Sequence, residues 1–299
     1  MPGLSVDDGL ADLHAAAERI WLDAQAAWPS ITVDVLPEVG STNAHAMAQG
    51  REAPTGPLVV AAWRQTAGRG RAGRSWEARA GDTLTFSLAL PLALLDVPGG
   101  GSALSLAVGV MAVRALQRLP RQGDAPGTPA LGLKWPNDLW IDGRKLGGIL
   151  IEAAHPPGLP AHRRWVVVGI GINLQGTAAD QAAQRTDLAG HGWHRPGRPD
   201  APLTPGDVLQ VLVPELLAGI ATFEQRGFAA FRDAWHGLDV LAGQSVSLWR
   251  QGVSSRPPDA QGQALGVDDH GALLIHDDRG QTQAWAVGDV SVRSRGHPL

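Results

Sequence analysis

The chain has 299 residues, 44% of them hydrophobic, and a formal net charge of −4; the length suits one large domain, or a large one with a small one attached, and the acidic balance argues against a general nucleic-acid binder. The absence of cysteine removes disulfides, thiolate zinc sites and a cysteine nucleophile. No run of 18 uncharged apolar residues and no signal-like N-terminus are seen, so the expectation is no membrane span and a cytoplasmic protein.

In chain order, residues 7–28 show helical periodicity, with Leu10, Leu13, Ala17, Ile20 and Ala24 on one face. "ITVDVLPEV" (31–39) reads as a strand, and "GSTNAHAMAQG" as a helix with Ser41 or Thr42 as N-cap and Gly50 as its stop. "PLVVAAWRQ" (57–65) is a buried strand that runs into "TAGRGRAGRSW" (66–76). "DTLTFSLAL" (82–90) alternates as a strand, and residues 102–119 form a long apolar helix capped by Ser102. A Pro/Gly loop (120–130) precedes short strands at 131–134, 138–142, 145–154 and 164–174, with 155–163 as a hairpin-like connection. Residues 176–205 are irregular, and two helices follow near 206–236. After Gly237 the texture changes to five short strands with Gly or Asp turns, which suggests a small β-barrel.

Three stretches concentrate chemistry. In the first, Gly68, Gly70 and Gly73 let backbone amides approach a ligand, while Arg69, Arg71 and Arg74 supply planar forks for carboxylate or phosphate. It is not a P-loop, which needs G-x-x-x-x-G-K-[ST] and a helix; by itself it is equally a solvated basic loop. The second is "KWPNDLWIDGRKLGGILIE" (134–152), which holds Lys134 and Lys145, the two lysines of the chain against 23 arginines. A site that needs a compact point charge resists replacement of Lys by Arg. Asn137 and Asp138 stand at a turn, Asp142-Gly143 signals a hairpin, and Gly147 and Gly148 leave space beside Lys145; the competing reading is a salt-bridged surface hairpin. In the third, "GIGIN" (169–173), the glycines lie inside a β-branched strand with no helix after them, so close backbone packing is the better reading than a dinucleotide fold, with Asn173 at the strand end. The two histidines of "HGWH" (191–194) lack a third ligand nearby and do not suggest a metal site.

Together these stretches resemble the biotin–protein ligases. "GRGRAGRSW" (68–76) fits that family's GRGRxGRxW loop, 134–152 fits its second signature, and "GSTN" (40–43), Gln65 and "GIGIN" occur in its order and spacing. The resemblance covers about residues 31–295. It implies an α+β fold: a mixed sheet with flanking helices, related to class II aminoacyl-tRNA synthetases, and a C-terminal SH3-like barrel. The expected division is an N-terminal helix or extension (1–30), a catalytic biotin- and ATP-binding domain (31–236) and the barrel (237–299). The implied activity is synthesis of biotinyl-5′-AMP from biotin and Mg²⁺-ATP, then transfer of biotin to one lysine of a biotin carboxyl carrier domain.

Carried over by motif, Ser41, Thr42, Asn43, Gln65 and Gly148 would bind biotin, and Arg69, Gly70 and Arg71 would close over biotin and the acyl phosphate. Lys145 would bridge biotin's carboxylate and the α-phosphate. Arg69, Arg74, Trp76, Lys134, Asn137 and Asn173 would face ATP, Lys134 with a structural role as the alternative. Arg71, Lys145 and Asp138 would be catalytic, with Asp138 either holding Mg²⁺ or assisting the incoming amine. Many members begin with a winged helix-turn-helix of about 60 residues; the roughly 30 residues before the first strand read as one helix, so DNA binding is not expected. A homodimer is left open. A lipoyl or octanoyl transferase is the runner-up, and a biotinyl-AMP sensor or pure binding module the alternative classes.

Overall fold

The structure, a computed structural model, describes residues 4–51, 56–122, 130–177, 184–250 and 257–286, and the backbone of 291–294. Most of the expected 120–130 loop therefore lies outside the described residues. α1 (Val6–Ala24) starts at Ser5, whose hydroxyl accepts from the Asp8 amide at 3.1 Å, and its buried face includes Leu13, Ala17 and Ile20. β1 (Thr32–Val39), α2 (Thr42–Gln49), β2 (Leu58–Gln65) and β3 (Thr83–Leu92) follow as read. α3 (Gly100–Leu116) differs at its start. Ser102 is not the cap; the helix begins after Gly99, which has φ 79°. A side chain at Gly99 would overlap the His270 carbonyl, so glycine is required by both backbone and neighbour.

β4 (Leu131–Lys134), β5 (Asp138–Ile141), β6 (Arg144–Ala154) and β7 (Arg164–Asn173) complete a seven-stranded sheet in the order β1-β2-β3-β7-β6-β5-β4, in which only β1 and β2 run parallel. The Asp142-Gly143 signal is a tight hairpin turn, with φ 51° and 71° at the two residues. α4 (Pro205–Arg226) opens on a capping box of Thr204 and Asp207, and α5 (Arg232–His236) follows. α4 is long and apolar enough to cross a bilayer, but its apolar face is buried against α1 and α3, as in a core helix.

Alternation along the central strands assigns the two faces of the sheet. Val59, Ala61, Trp63, Leu84, Phe86, Leu88, Val168 and Ile170 point into the main core, together with residues of α1, α3 and α4. The opposite face carries Leu58, Val60, Ala89, Trp165 and Val167, which pack with Ala46 of α2 into a second, smaller cluster. β3 alternates in sequence and is buried on both faces, because helices or the site cover each one. α2 covers only part of the second face. The uncovered part, over the far ends of β3, β7 and β6, is where the site lies.

β8 (Ser245–Trp249), β9 (Ala260–Val267), β10 (Leu273–His276), β11 (Thr282–Trp285) and β12 (Ser291–Ser294) form a second, antiparallel sheet in the order β11-β10-β9-β8-β12. The chain joining the two sheets pairs with the edge strand β4: the Leu133 amide donates to the Leu238 carbonyl at 2.7 Å, and the Val240 amide to the Leu133 carbonyl at 3.0 Å. Trp135 donates its indole N–H to the Gly271 carbonyl at 3.0 Å, and Arg232 pairs with Asp269. Between these contacts Asp239 sits half-buried. Its Oδ1 accepts from the Leu241 amide at 2.9 Å while Oδ2 has no partner, and burial pushes its carboxyl up to about 6.

Candidate active site

The floor of the site is bare backbone. Gly169 and Gly171 occupy the positions of β7 whose side chains would point at the second face. A Cβ on Gly169 would overlap the Asn43 amide, and one on Gly171 would overlap the Trp76 indole. The glycines of "GIGIN" are thus explained by close packing, with two site residues as the neighbours.

α2 brings Ser41, Thr42 and Asn43 onto this floor, all three buried. Ser41 caps the helix, its hydroxyl accepting from the Ala44 amide at 3.4 Å. The Thr42 amide and hydroxyl both donate to Gln65 Oε1, at 2.8 and 3.1 Å. Ser87 Oγ lies 2.8 Å from Thr42 Oγ1 and 2.7 Å from Asn43 Oδ1, and Asn43 Nδ2 donates to Glu152 Oε2 at 2.9 Å and to the Leu150 carbonyl at 3.3 Å. The result is a row of oriented amide and hydroxyl groups, pre-set to bind a neutral polar head group.

Lys145 lines the same site. Its Nζ donates to Asp138 Oδ1 at 2.6 Å and sits 5.8 Å from the centre of the Trp76 ring. A side chain on Gly148 would come within 3.3 Å of that nitrogen, which is why the β6 glycine leaves room for the ammonium. The backbone of Lys145 is held on both sides: its amide donates to the Gln184 carbonyl and the Thr186 amide donates to its carbonyl, each at 2.9 Å.

Residues 68–76 form a small hairpin. The Trp76 amide donates to the Gly68 carbonyl at 2.9 Å and the Gly70 amide to the Arg74 carbonyl at 2.6 Å. At the tip Ala72 takes φ 53°, ψ 36°, a left-handed conformation that glycine favours. Arg69, Gly70, Arg71 and Arg74 line the same cavity, of about 280 Å³, as Thr42, Gln65, Asn137, Asp138, Lys145 and Asn173. The hairpin separates it from an open groove of about 890 Å³ lined by the same arginines, Ser102 and Glu152.

Residues 37–173 match the Biotin/lipoate A/B protein ligase family and residues 256–293 match the Biotin protein ligase C terminal domain. The Bifunctional ligase/repressor BirA of Escherichia coli (strain K12) is 31% identical over 88% of this chain and 74% of its own length. This chain belongs to the biotin protein ligase family. The Biotin--[acetyl-CoA-carboxylase] ligase of Paracoccus denitrificans is 34% identical over 83% of this chain and 95% of that protein. The solved biotin protein ligase of Aquifex aeolicus in complex with biotin and ATP superposes with a TM-score of 0.65, covering 88% of this chain and 99% of that one; at 24% identity it supports the fold alone.

Within this ligase-family site the structure separates the expected residues. Ser41, Thr42, Asn43, Gln65, Arg69, Gly70, Arg71, Arg74, Trp76, Asn137, Asp138, Lys145, Gly148 and Asn173 all line the one cavity. Lys134 does not. Its ammonium lies over the Trp140 ring, 4.2 Å from the centroid. The amides of Asn137 and Asn173 are engaged, donating to the Ile149 carbonyl at 2.7 Å and the Thr186 carbonyl at 3.0 Å. Each is thereby oriented by its neighbours. The Trp76 indole N–H is buried without an acceptor.

Among the described residues no group of three metal-ligating side chains clusters. Asp138 accepts from the Lys145 ammonium at 2.6 Å. Sequence reasoning missed Ser87, Glu152 and Arg185. Ser87 looked like one polar position in an alternating strand, and Glu152 was quoted only as the end of a signature. Arg185 sat in a segment read as irregular, yet it lines the cavity and pairs with Glu77 at 3.4 Å. Nearby, burial and then the Arg144 and Arg121 guanidiniums hold His191 below the usual imidazole range, and its Nε2 lies 2.9 Å from the Thr186 hydroxyl.

Proposed function

We propose that this chain activates biotin with ATP as biotinyl-5′-AMP and transfers the biotinyl group to a lysine of a carboxylase carrier domain. The observation that carries this is the polarity of one cavity. Neutral, oriented hydrogen-bonding groups and an ammonium with several guanidiniums line it together. A neutral ureido head fits the first. The second suits a carboxylate attacking a phosphate, because the two reactants are both anions and repel each other.

In the first step a carboxylate oxygen forms a bond to the α-phosphorus and pyrophosphate leaves. Lys145, held by Asp138, is placed to touch both anions, while Arg69, Arg71 and Arg74 spread the charge on the phosphates. Mg²⁺ enters with ATP as part of the substrate, bound mainly by phosphate oxygens and water as is usual for this ion. Trp76 would cover the adenylate, and an acceptor on it would relieve the orphaned indole N–H, worth roughly 1–3 kcal/mol. Asn173, fixed by Thr186, presents its Oδ1 as an acceptor for adenine. In the second step the carrier's ε-amine attacks the acyl carbon, AMP leaves, and the amine's proton is taken up; Asp138 is the nearest carboxylate to Lys145. The cavity alone, near the lower end of small-molecule pocket sizes, adjoins the groove across the hairpin, so a shift of the hairpin joins the two spaces for both substrates.

The cytoplasm, where ATP and carrier domains meet, is the compartment this reading requires, and residues 31–236 would carry the chemistry. The test is ATP–pyrophosphate exchange with purified protein. Stimulation by biotin, and streptavidin-detected labelling of a carrier domain, is the expected outcome. Stimulation by lipoate or octanoate in place of biotin would overturn the substrate assignment.

A further inference from the structure

We infer that Glu152, to which no role is attached above, is a positioning residue that couples the biotin-head pocket to the arginine hairpin. The inference rests on the ligase reading. Its observation is that one carboxylate serves two partners on opposite sides. Oε2 accepts from Asn43 Nδ2 at 2.9 Å, and Oε1 lies 3.7 Å from Arg69 Nη1. Asn43 belongs to the floor and Arg69 to the hairpin, and no shorter polar link joins them among the described residues.

The Asn43 contact fixes an orientation. Asn43 is buried, and among the described residues its Nδ2 donates to Glu152 and to the more distant Leu150 carbonyl at 3.3 Å. With Nδ2 held by the carboxylate, Oδ1 is turned to the Ser87 hydroxyl at 2.7 Å. From there the row continues through Thr42 to Gln65, the last residue of β2 before the hairpin. The network is therefore a loop: it leaves the hairpin at its base, crosses the floor under the head group, and returns to the hairpin at Arg69 through Glu152. A ligand that tightens one part of such a ring favours order in the rest.

The Arg69 contact has a second consequence. At 3.7 Å, with both side chains partly in water, the pair is a weak one that is readily exchanged. Glu152 lines the groove outside the hairpin and not the cavity within. Arg69 faces Glu152 through Nη1, and a guanidinium carries five N–H donors, so Glu152 can hold the arginine from outside while its other donors serve a carboxylate or phosphate from inside. Glu152 thus acts as an internal anion that restrains Arg69 before the substrates assemble and steadies the hairpin over the floor afterwards.

Two substitutions separate the halves of this role. Glu152→Gln keeps an amide oxygen for Asn43 but removes the charge facing Arg69; Glu152→Ala removes both. Biotin KM in pyrophosphate exchange and escape of free biotinyl-AMP, read as streptavidin labelling of albumin in the mixture, are measured for each. The expected results for Glu152→Gln are a biotin KM within about twofold of the parent and three- to fivefold more albumin labelling. Glu152→Ala should show the same leak and a biotin KM raised about tenfold. Arg69→Gln and Glu152→Gln combined should leak no more than Arg69→Gln alone. Equal biotin KM values for the Gln and Ala variants would overturn the Asn43 half, and parent-like albumin labelling by Glu152→Gln would overturn the coupling to the hairpin. These outcomes presuppose biotin-dependent exchange by the parent; its absence would overturn the ligase reading and this inference with it.

Discussion

The arginine hairpin and the lysine strand carry the same sign of charge into one cavity but are built in opposite ways. Lys145 is placed by its pairing with Trp140 of β5, by backbone bonds to residues 184 and 186 on its other side, and by a 2.6 Å contact to Asp138. The arginines stand on nine residues whose order comes from a few bonds within the hairpin itself, with an alanine in a left-handed conformation at the tip. The rigid side suits a charge that must be present at the moment of reaction, since preorganised charge needs no rearrangement then. The weakly held side suits a cover that must admit two substrates and later expose the acyl group.

The largest effect that would sharpen this contrast is at the rigid side. Lys145→Gln should lower biotin-dependent pyrophosphate exchange by about three orders of magnitude, and Lys145→Arg should recover little because Gly148 and Asp138 leave room only for a compact ammonium. Near-normal exchange by Lys145→Gln would break the comparison at its root. Next come the two glycines of the floor. Gly169→Ala displaces Asn43, and should raise biotin KM about tenfold with ATP KM little changed; Gly171→Ala displaces Trp76 and should do the reverse. Equal changes in both constants for both variants would show that the floor is not divided between the substrates. On the weakly held side, Arg71→Gly should let the intermediate escape, labelling bystander albumin several-fold more than the parent does, while exchange falls less than in Lys145→Gln. Parent-like labelling would show that the hairpin does not retain the adenylate.

The joint between the two sheets gives a smaller effect, through pH. The folded protein holds Asp239 at about 6, above its ordinary value of 3.8, so between those values the folded state binds more protons than the unfolded one. Asp239 is therefore a liability fully expressed above about pH 6 and relieved as pH falls below 4. Asp239→Asn keeps the acceptor for Leu241, and its stability relative to the parent should rise between pH 4 and pH 7 by on the order of 1–3 kcal/mol, as measured by denaturant titration. A pH-independent difference would refute it. The smallest effect is at the hairpin tip, where Ala72→Gly removes roughly 1 kcal/mol of backbone strain. Cleavage by trypsin after Arg71 should slow about two- to threefold without ligands; faster cleavage would mean that chain freedom outweighs strain there.

The sequence was legible where a single physical cause sets the residue. Ser41 marks a helix start, Asp142-Gly143 a turn, and the paired glycines of β7 a close approach, and each is found doing that. It was less legible where the cause lies in a distant neighbour. Ser102 has the chemistry of a cap, but the helix begins earlier because the second sheet brings His270 against Gly99. Lys134 shares a signature with Lys145, yet β4 turns it onto Trp140, and nothing in the spacing distinguishes the two lysines. Arg185 lies 40 residues from Lys145 in a stretch without periodicity, and its place is set by backbone pairing that leaves no pattern in the residues.

The contact of Lys134 with Trp140 bears on chemical safety. A mixed anhydride of a carboxylic acid and AMP acylates uncharged amines. The cavity supplies its positive charge mostly as guanidinium, which stays protonated at any ordinary pH and is no nucleophile. Of the two amines the side chains offer, Lys145 is tied to a carboxylate and Lys134 is turned onto an indole outside the cavity. The site can stabilise an anion strongly while presenting almost nothing that the activated acyl group can attack, so the one free amine that reaches it is the one delivered by the carrier.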